Sequence, residues 1–443
     1  MVSGRREQVV ACNLRMFNVG FGDCFLLSLD YRSGKRWHVL IDFGTARRAP
    51  DAPTQVDIAR EIASVIGQDP WIIVATHRHK DHISGFSGPA WKVLEKLRGQ
   101  VRRVVQPWTE EPGLAGDAKA PRRASHKAFV QALAAGHAEA GDIRRLVRRD
   151  RTELASSIAD EIEFVADDNL TNRAAIENLA SFGDRCRYIS AGERRAFQIL
   201  PGVTVDVLGP PTVKQWDAIR RQAQQHEEFW HLRASAHDPR KRDARGRPRL
   251  ARRDRSDAPS PATTWFLNRV KQALGHELLA IVRALDDAMN NTSLILLLKI
   301  GRAKLLFPGD AQIENWSFAL ASRNVLRSLR GVTFYKVGHH GSLNATPRSL
   351  WKAFANRRDL RGRKTLPLEA GLSSLGGVHG SSARYTEVPR RTLVEALEQG
   401  AVLHRTDAPP RRDERGRNKR DKRVFELIPI PIAPPNKRSR RRK

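Results

Sequence analysis

Short apolar runs separated by turn signals open the chain. "ACNLRMFNVG", "CFLLSLDY" and "RWHVLIDFG", with Ser33-Gly34 between the last two, predict three strands in a meander that ends at Asp42 and Gly44. The period then changes. Apolar positions at helical spacing in "QVDIAREIASVIG" predict a helix over about 55–67 closed by Gly67, and "WIIVAT" predicts a buried strand after it. A helix over about 89–98, the strand "VRRVVQP", a long helical stretch over about 122–165, and the strands "CRYIS" and "VTVDVLGPP" follow. Residues 218–262 interrupt the pattern, and a helix is expected near 264–287. Two strands, "TSLILLLKI" and "AKLLFPGD", then precede a helix around 313–329, the strand "VTFYKVGHHGS" and a helix near 347–355. A last strand, helix and strand run through "TEVPRRTLVEALEQGAVLHRTD". Alternation of this kind predicts an α/β fold, and no internal repeat accompanies it.

Composition sets the scale. At 443 residues, 40% of them hydrophobic, the chain can bury a large core, read here as one domain over 10–408 followed by a basic Pro/Arg-rich tail, 409–443, expected to be largely disordered. Within the tail, "VFELIPIPI" is an apolar run that could dock as an edge strand. Cys12, Cys24 and Cys186 are too few and too scattered for a disulfide framework or a four-thiolate zinc site, which fits a reducing, cytoplasmic setting. No apolar signal region opens the chain. Its longest apolar runs fall well short of the roughly 18 residues of a membrane span, so a soluble protein without a membrane partner is expected.

Charge narrows the choice of partner. The net charge is +30, and 17 of those charges lie in two segments: Arg240–Arg255, "RKRDARGRPRLARRDR", at +7, and Arg411–Lys443 at +10. Both are poor in core-forming residues and read as solvated arms, the first within a flexible insertion over 218–262. One reading is solubility in an Arg-rich protein. The other is attachment to a polyanion, with Arg240, Lys241, Arg242, Arg252 and Arg253 on nucleic-acid phosphates. Trp216, Phe229 and Trp230 flank the insertion, either stacking on bases or burying its root.

Chemistry concentrates at strand ends. "VATHRHKDHISGF" places His77, His79, Asp81 and His82 directly after a buried strand, a spacing suited to two cations held by imidazole and carboxylate. "LLFPGD" ends another strand at Asp310, and "YKVGHHGS" ends a third at His339 and His340. In an α/β fold strand ends converge on one edge, where sites form.

These motifs resemble the metallo-β-lactamase fold superfamily, and within it the hydrolase domain of the ComEC-like competence proteins. The matching stretches are "FNVGFGDCFLL" with "VLIDFG", "THRHKDHISG", "NNTSLILLLKIGRAKLLFPGD", "YKVGHHGS" and "EVPRRTLVEALEQGAVLHRTD", spanning about residues 14–407. The resemblance implies an αββα sandwich with a dinuclear centre, zinc or alternatively manganese, at one edge of the sheets. It implies His77 and His79 on the first metal, Asp81 and His82 on the second, Asp310 as the bridge, and His339 or His340 completing the second site. His339, directly after Gly338, is favoured, although the spacing leaves both open. Asp42 would orient a ligand histidine, and Asp23 would lie near the site, its alternative being a solvated turn carboxylate. Where many members carry a third histidine, this chain has "MNNTS", so Asn290 or Asn291 stands as a possible metal or substrate contact.

The expected activity is metal-dependent hydrolysis, with Asp81 and Asp310 catalytic and Asp81 accepting the proton of the attacking water. His379 and Lys336 are candidates for protonating a leaving group. The charge favours a phosphodiesterase acting on DNA, a nuclease. Alternatives are a hydrolase of a small phosphorylated or acyl metabolite, and a non-catalytic, metal-stabilised nucleic-acid-binding protein. His126, His137, His226, His231, His237 and His404 are read as surface or packing residues.

Overall fold

The computed structural model describes residues 7–50, 52–112, 133, 140–149, 156–170, 172–216, 277–280, 282–283, 285–344, 346–358, 366–378, 387–407 and 424–432. The basic insertion at 218–262, with Arg240, Lys241, Arg242, Arg252, Arg253, Phe229 and Trp230, lies outside the described residues, as does His379.

Two sheets form the body. The first has the order β13-β1-β2-β3-β4-β5-β6, with β1 Val9–Phe17, β2 Cys24–Tyr31, β3 Arg36–Phe43, β4 Trp71–Val74, β5 Val101–Pro107, β6 Cys186–Ile189 and β13 Phe425–Pro429. The second has the order β12-β11-β10-β9-β8-β7, with β7 Val203–Gly209, β8 Ile295–Ile300, β9 Ala303–Phe307, β10 Phe334–Lys336, β11 Glu369–Leu372 and β12 Val402–Arg405. Each sheet begins as an antiparallel meander, β1-β2-β3 or β7-β8-β9, and continues with parallel strands. Both sheets are therefore mixed.

Side-chain alternation explains the stacking. Phe25, Leu27 and Leu29 of β2, Val39 and Ile41 of β3, and Ile72 and Val74 of β4 share one cluster with Leu296, Leu298 and Ile300 of β8 and Leu305 and Phe307 of β9. Their neighbours in sequence turn the other way. Leu26, Leu40 and Ile73 meet helices α1 (Gln55–Ile66) and α3 (Gly88–Leu94), whereas Ile295, Leu297 and Leu306 meet helices Ile313–Leu320, Arg348–Ala353 and Arg391–Gly400. Strands covered on both faces read as continuous apolar runs, which is why "WIIV" and "SLILLL" do not alternate. A separate helical cluster of Ile143, Ile158, Ile162, Val282 and Met289 packs on Trp108 and Val213.

Helix boundaries follow local chemistry. Thr54 caps α1 in a capping box with Asp57, and Gly67 closes it with φ 55° and its N–H on the Ala63 carbonyl, the closure expected from sequence. The helix expected over 313–329 is two, Ile313–Leu320 and Arg323–Leu329, because Ser322 breaks the run and caps the second by accepting from the Val325 N–H. The strand expected just before the last helix lies upstream instead, at Glu369–Leu372, where a short stretch with a central Gly carries little strand signal. The apolar run in the C-terminal tail does dock as an edge strand, β13 on β1. The three cysteines are buried and free, and no helix among the described residues is long and apolar enough to cross a membrane.

Candidate metal centre

The carboxyl ends of β3, β4, β9 and β10 converge where the two sheets meet. The histidine motif leaving β4 is only partly a loop: Lys80–Ile83 forms one helical turn, α2, with His79 at its N-cap. That turn nests against Gly44, where a methyl group would overlap backbone atoms of Lys80, Asp81 and His82. The absence of a side chain after β3 thus lets the motif approach the strand end.

Three groups of donor atoms result, each lying within a few ångströms and all buried: two that share one residue, His77, His79 and Asp81, and Asp81, His82, Asp310 and His340, and a third, Asp23, Asp42 and His82, whose carboxylates are engaged by Lys336 and by Thr76 and His82. Asp81 is common to the first two. Asp310, expected as the bridge, groups with the second set. His340 rather than the favoured His339 joins that set, its Nε2 2.7 Å from Asp81 Oδ2 and its Nδ1 2.9 Å from the Ser373 carbonyl. His339 instead donates its backbone N–H to Asp310 Oδ1 at 3.0 Å, and its ring lies against Asn290. Two successive residues in the left-handed region, φ 42° and 51°, swing these side chains apart. With Asp42 at φ 56°, they are the non-glycine residues of positive φ among the described residues, and all three are at this site. Such conformations cost of order 1–3 kcal/mol each and persist only where surrounding contacts impose them.

Asp42 sits where an orienting carboxylate was expected. Its Oδ1 accepts from the Thr76 N–H at 2.7 Å, and its Oδ2 accepts from Thr76 Oγ1 at 2.7 Å and His82 Nδ1 at 2.8 Å. This turns His82 Nε2 toward Asp310 Oδ2, 3.0 Å away. Asp23 is fully buried, not a solvated turn residue, and pairs with Lys336. Lys336 also donates to Asp310 Oδ1 and the Gly309 carbonyl, each at 3.0 Å. Burial opposes its charge, but Asp23 and Asp310 prevail and raise its pKa above the ordinary lysine value, so it is a fixed cation rather than a proton donor near neutrality.

Electrostatics divide the groups. Burial, with His82 and His79 nearby, holds His77 well below the usual histidine range, leaving a neutral imidazole. Burial also opposes ionisation of Asp81, yet His82 and the hydrogen bond from His340 outweigh it and hold the carboxyl at about 2. His82 goes the other way: burial lowers it, but Asp310, Asp81 and Asp42 raise it well above the usual value.

The donor set fits divalent cations. His77 Nε2 is buried without a hydrogen-bond partner, and His82 Nε2 and Asp310 Oδ2 face one another with no hydrogen bond of good geometry between them. Buried imidazole and carboxylate groups in this arrangement could hold a metal ion.

The two asparagines separate. Asn291 is structural: its Nδ2 donates to Glu314 at 2.7 Å and its Oδ1 accepts from the Gln312 N–H. Asn290 faces the site, its Nδ2 donating to Asp286 Oδ2 at 3.0 Å. Asp286 and Asp287 were missed by sequence reasoning. One helical turn before Asn290 in "LDDAMNN", Asp286 reaches His79, whereas Asp287 accepts from Gln312 Nε2 at 2.7 Å, and burial plus the charge of Asp286 pushes Asp287 up to about 7. Arg78, inside the motif, points away into a bidentate pair with Glu110. Trp216 packs against Phe318, ring centroids 6.0 Å apart. His404, read as a surface or packing residue, lies between Glu369 and Glu426.

No family model and no curated protein matches this chain.

Proposed function

We propose that the protein is a metal-dependent hydrolase of the metallo-β-lactamase superfamily, close to the ComEC-like branch, and that it cleaves phosphodiesters in DNA. The carrying observation is the pair of buried His/Asp groups that meet at Asp81. Helices on both outer faces of two stacked sheets support the αββα assignment. His77, His79 and Asp81 would hold one divalent cation, and Asp81, His82, Asp310 and His340 a second, zinc or manganese by the chemistry of the donors. Cations bound there supply a nucleophile from water at neutral pH and stabilise developing negative charge.

The chain's own residues prepare that chemistry. Asp42 fixes the ring of His82 and leaves Nε2 directed at Asp310. Lys336 holds Asp310 in place and balances its charge. Asp81, ionised throughout the neutral range, can take the proton lost by an attacking water. The Phe21 ring lies tilted against His340, ring centroids 4.5 Å apart.

The net charge of +30, most of it in two segments, favours a polyanionic substrate over a small metabolite. The test is incubation of the purified chain with single- and double-stranded DNA in Zn²⁺, Mn²⁺ or Mg²⁺, beside Asp310→Ala prepared identically. Cleavage by the wild type alone is expected, with binding that weakens steeply as salt rises. Intact DNA under all three metals, with metal bound stoichiometrically, would remove the nuclease assignment.

A further inference from the structure

The His77/His79 group has two imidazoles, and the segment where a third would be sought offers Asn290 instead. A carboxylate stands next to it. Asp286 Oδ1 lies 3.8 Å from His79 Nε2, while its Oδ2 accepts the Asn290 amide at 3.0 Å. Two donors on one tetrahedral ion with bonds of 2.0–2.1 Å are separated by about 3.4 Å, so Asp286 and His79 are already near the spacing at which they can share a cation. The amide fixes one carboxylate oxygen and leaves the other toward His79, the arrangement by which outer groups aim metal ligands.

Two buried side-chain atoms among these residues lack partners. His77 Nε2 is buried with no hydrogen-bond partner, and it groups with His79 and Asp81. Asn290 Oδ1 is also buried and unsatisfied. A buried polar atom without a partner costs about 1–3 kcal/mol, and a cation bound at His77 would relieve the cost at its Nε2.

We infer that Asp286 joins His77, His79 and Asp81 as the fourth protein ligand of that position, oriented by Asn290, and that this second carboxylate makes the position select a harder cation than a histidine in its place would. The inference rests on the proposed two-cation centre. Replacing imidazole by carboxylate shifts the donor set from nitrogen toward oxygen and adds a negative charge, which favours Mn²⁺ relative to Zn²⁺. Asp286 belongs to the helical residues 285–290, so one turn of helix carries both the ligand and its orienting amide.

Calorimetric titration of the metal-free full chain with MnCl₂ and separately with ZnCl₂ tests this, on wild type, Asp286→Ala, Asp286→Asn, Asp286→His and His77→Ala. The wild type is expected to bind two Mn²⁺. Asp286→Ala and Asp286→Asn should weaken one of the two at least tenfold, and Asp286→His should restore that position while moving its preference to Zn²⁺. Asp286→Asn keeps the side chain's shape, and thermal unfolding without metal verifies that each variant folds. Two sites of unchanged affinity in Asp286→Ala and Asp286→Asn, with one lost in His77→Ala, would overturn the role of Asp286 and leave the two-cation centre standing. No binding by the wild type would overturn both.

Discussion

The hydrogen bonds on Asp42 allow a sharp test of what holds the centre together. Three donors converge on this carboxylate: the Thr76 N–H, the Thr76 hydroxyl and His82 Nδ1. Asp42→Ala would orphan the Thr76 N–H and leave the Thr76 hydroxyl and His82 Nδ1 a 3.4 Å contact with one another, at about 1–3 kcal/mol for each buried group left unpaired, a sizeable part of the 5–15 kcal/mol stability of an ordinary domain. Asp42→Asn is the more informative change. Asn tolerates the φ of 56° that Asp42 adopts, so the backbone is not the variable. If the Asn carbonyl keeps the Thr76 N–H, its amide faces His82 Nδ1 as a second donor. His82 must then present Nδ1 as an acceptor and carry its proton on Nε2, the atom that faces Asp310 Oδ2 at 3.0 Å. A protonated Nε2 cannot ligate a cation. Stability should therefore fall by about 1.5–3 kcal/mol, the worth of one charged hydrogen bond, while cation affinity falls about 10–100-fold. Urea unfolding of the metal-free protein and calorimetric titration with Zn²⁺ read the two effects separately. A Kd within threefold of wild type would refute the orienting role of Asp42.

Other perturbations probe different parts of the structure. Gly44→Ala should push α2 away from the end of β3, since the methyl would overlap the backbone of Lys80, Asp81 and His82, and should weaken Zn²⁺ binding more than tenfold with the far-ultraviolet spectrum intact; unchanged affinity would mean the motif can move aside. Lys336→Met should destabilise the metal-free protein by about 3–5 kcal/mol, because it removes the buried cation shared by Asp23 and Asp310, and adding Asp23→Asn should recover part of the loss; equal urea midpoints for wild type and Lys336→Met would contradict this. His404 provides a pH dependence. Burial lowers its pKa, but hydrogen bonds to Glu369 and Glu426 prevail and raise it to about 9. A folded value above the unfolded one contributes stability that is fully present below about pH 6.5 and lost as pH rises through 9, on the order of 1 kcal/mol after solvent screening. His404→Gln should flatten urea midpoints between pH 6 and 9.5, and a variant as pH-dependent as wild type would remove His404 as the cause.

Much of this architecture was legible in the chain because both sheets bury both faces. Runs such as "WIIV" and "SLILLL", bounded by turn residues, mark strands whatever their partners, and strand-end histidines and aspartates mark where the sheets converge. Pairing between sheets was not legible, because it depends on contacts far apart in sequence, as between Ile72 and Leu296 in one cluster. The choice between His339 and His340 likewise turns on two left-handed backbone conformations that residue type does not announce. Asp23 and Lys336 were each placed near the chemistry, yet their pairing links residues more than 300 positions apart. Asp286 carried a usable signal, its helical spacing from Asn290, but an aspartate on an amphipathic helix reads equally well as a solvated residue.

β13 changes what trimming the C-terminus would do. Phe425–Pro429 pairs with β1 as the outer strand of its sheet, and Ile428 and Ile430 lie in the core shared by both sheets. The basic residues around it are thus divided into a connector between β12 and β13 and an end piece after 432. Cutting at 408 to remove positive charge would also strip a strand, expose the edge of β1 and invite strand-to-strand association between molecules. Stopping after Ile432 removes Lys437, Arg438, Arg440, Arg441, Arg442 and Lys443 while leaving that edge covered, so charge and aggregation can be varied one at a time.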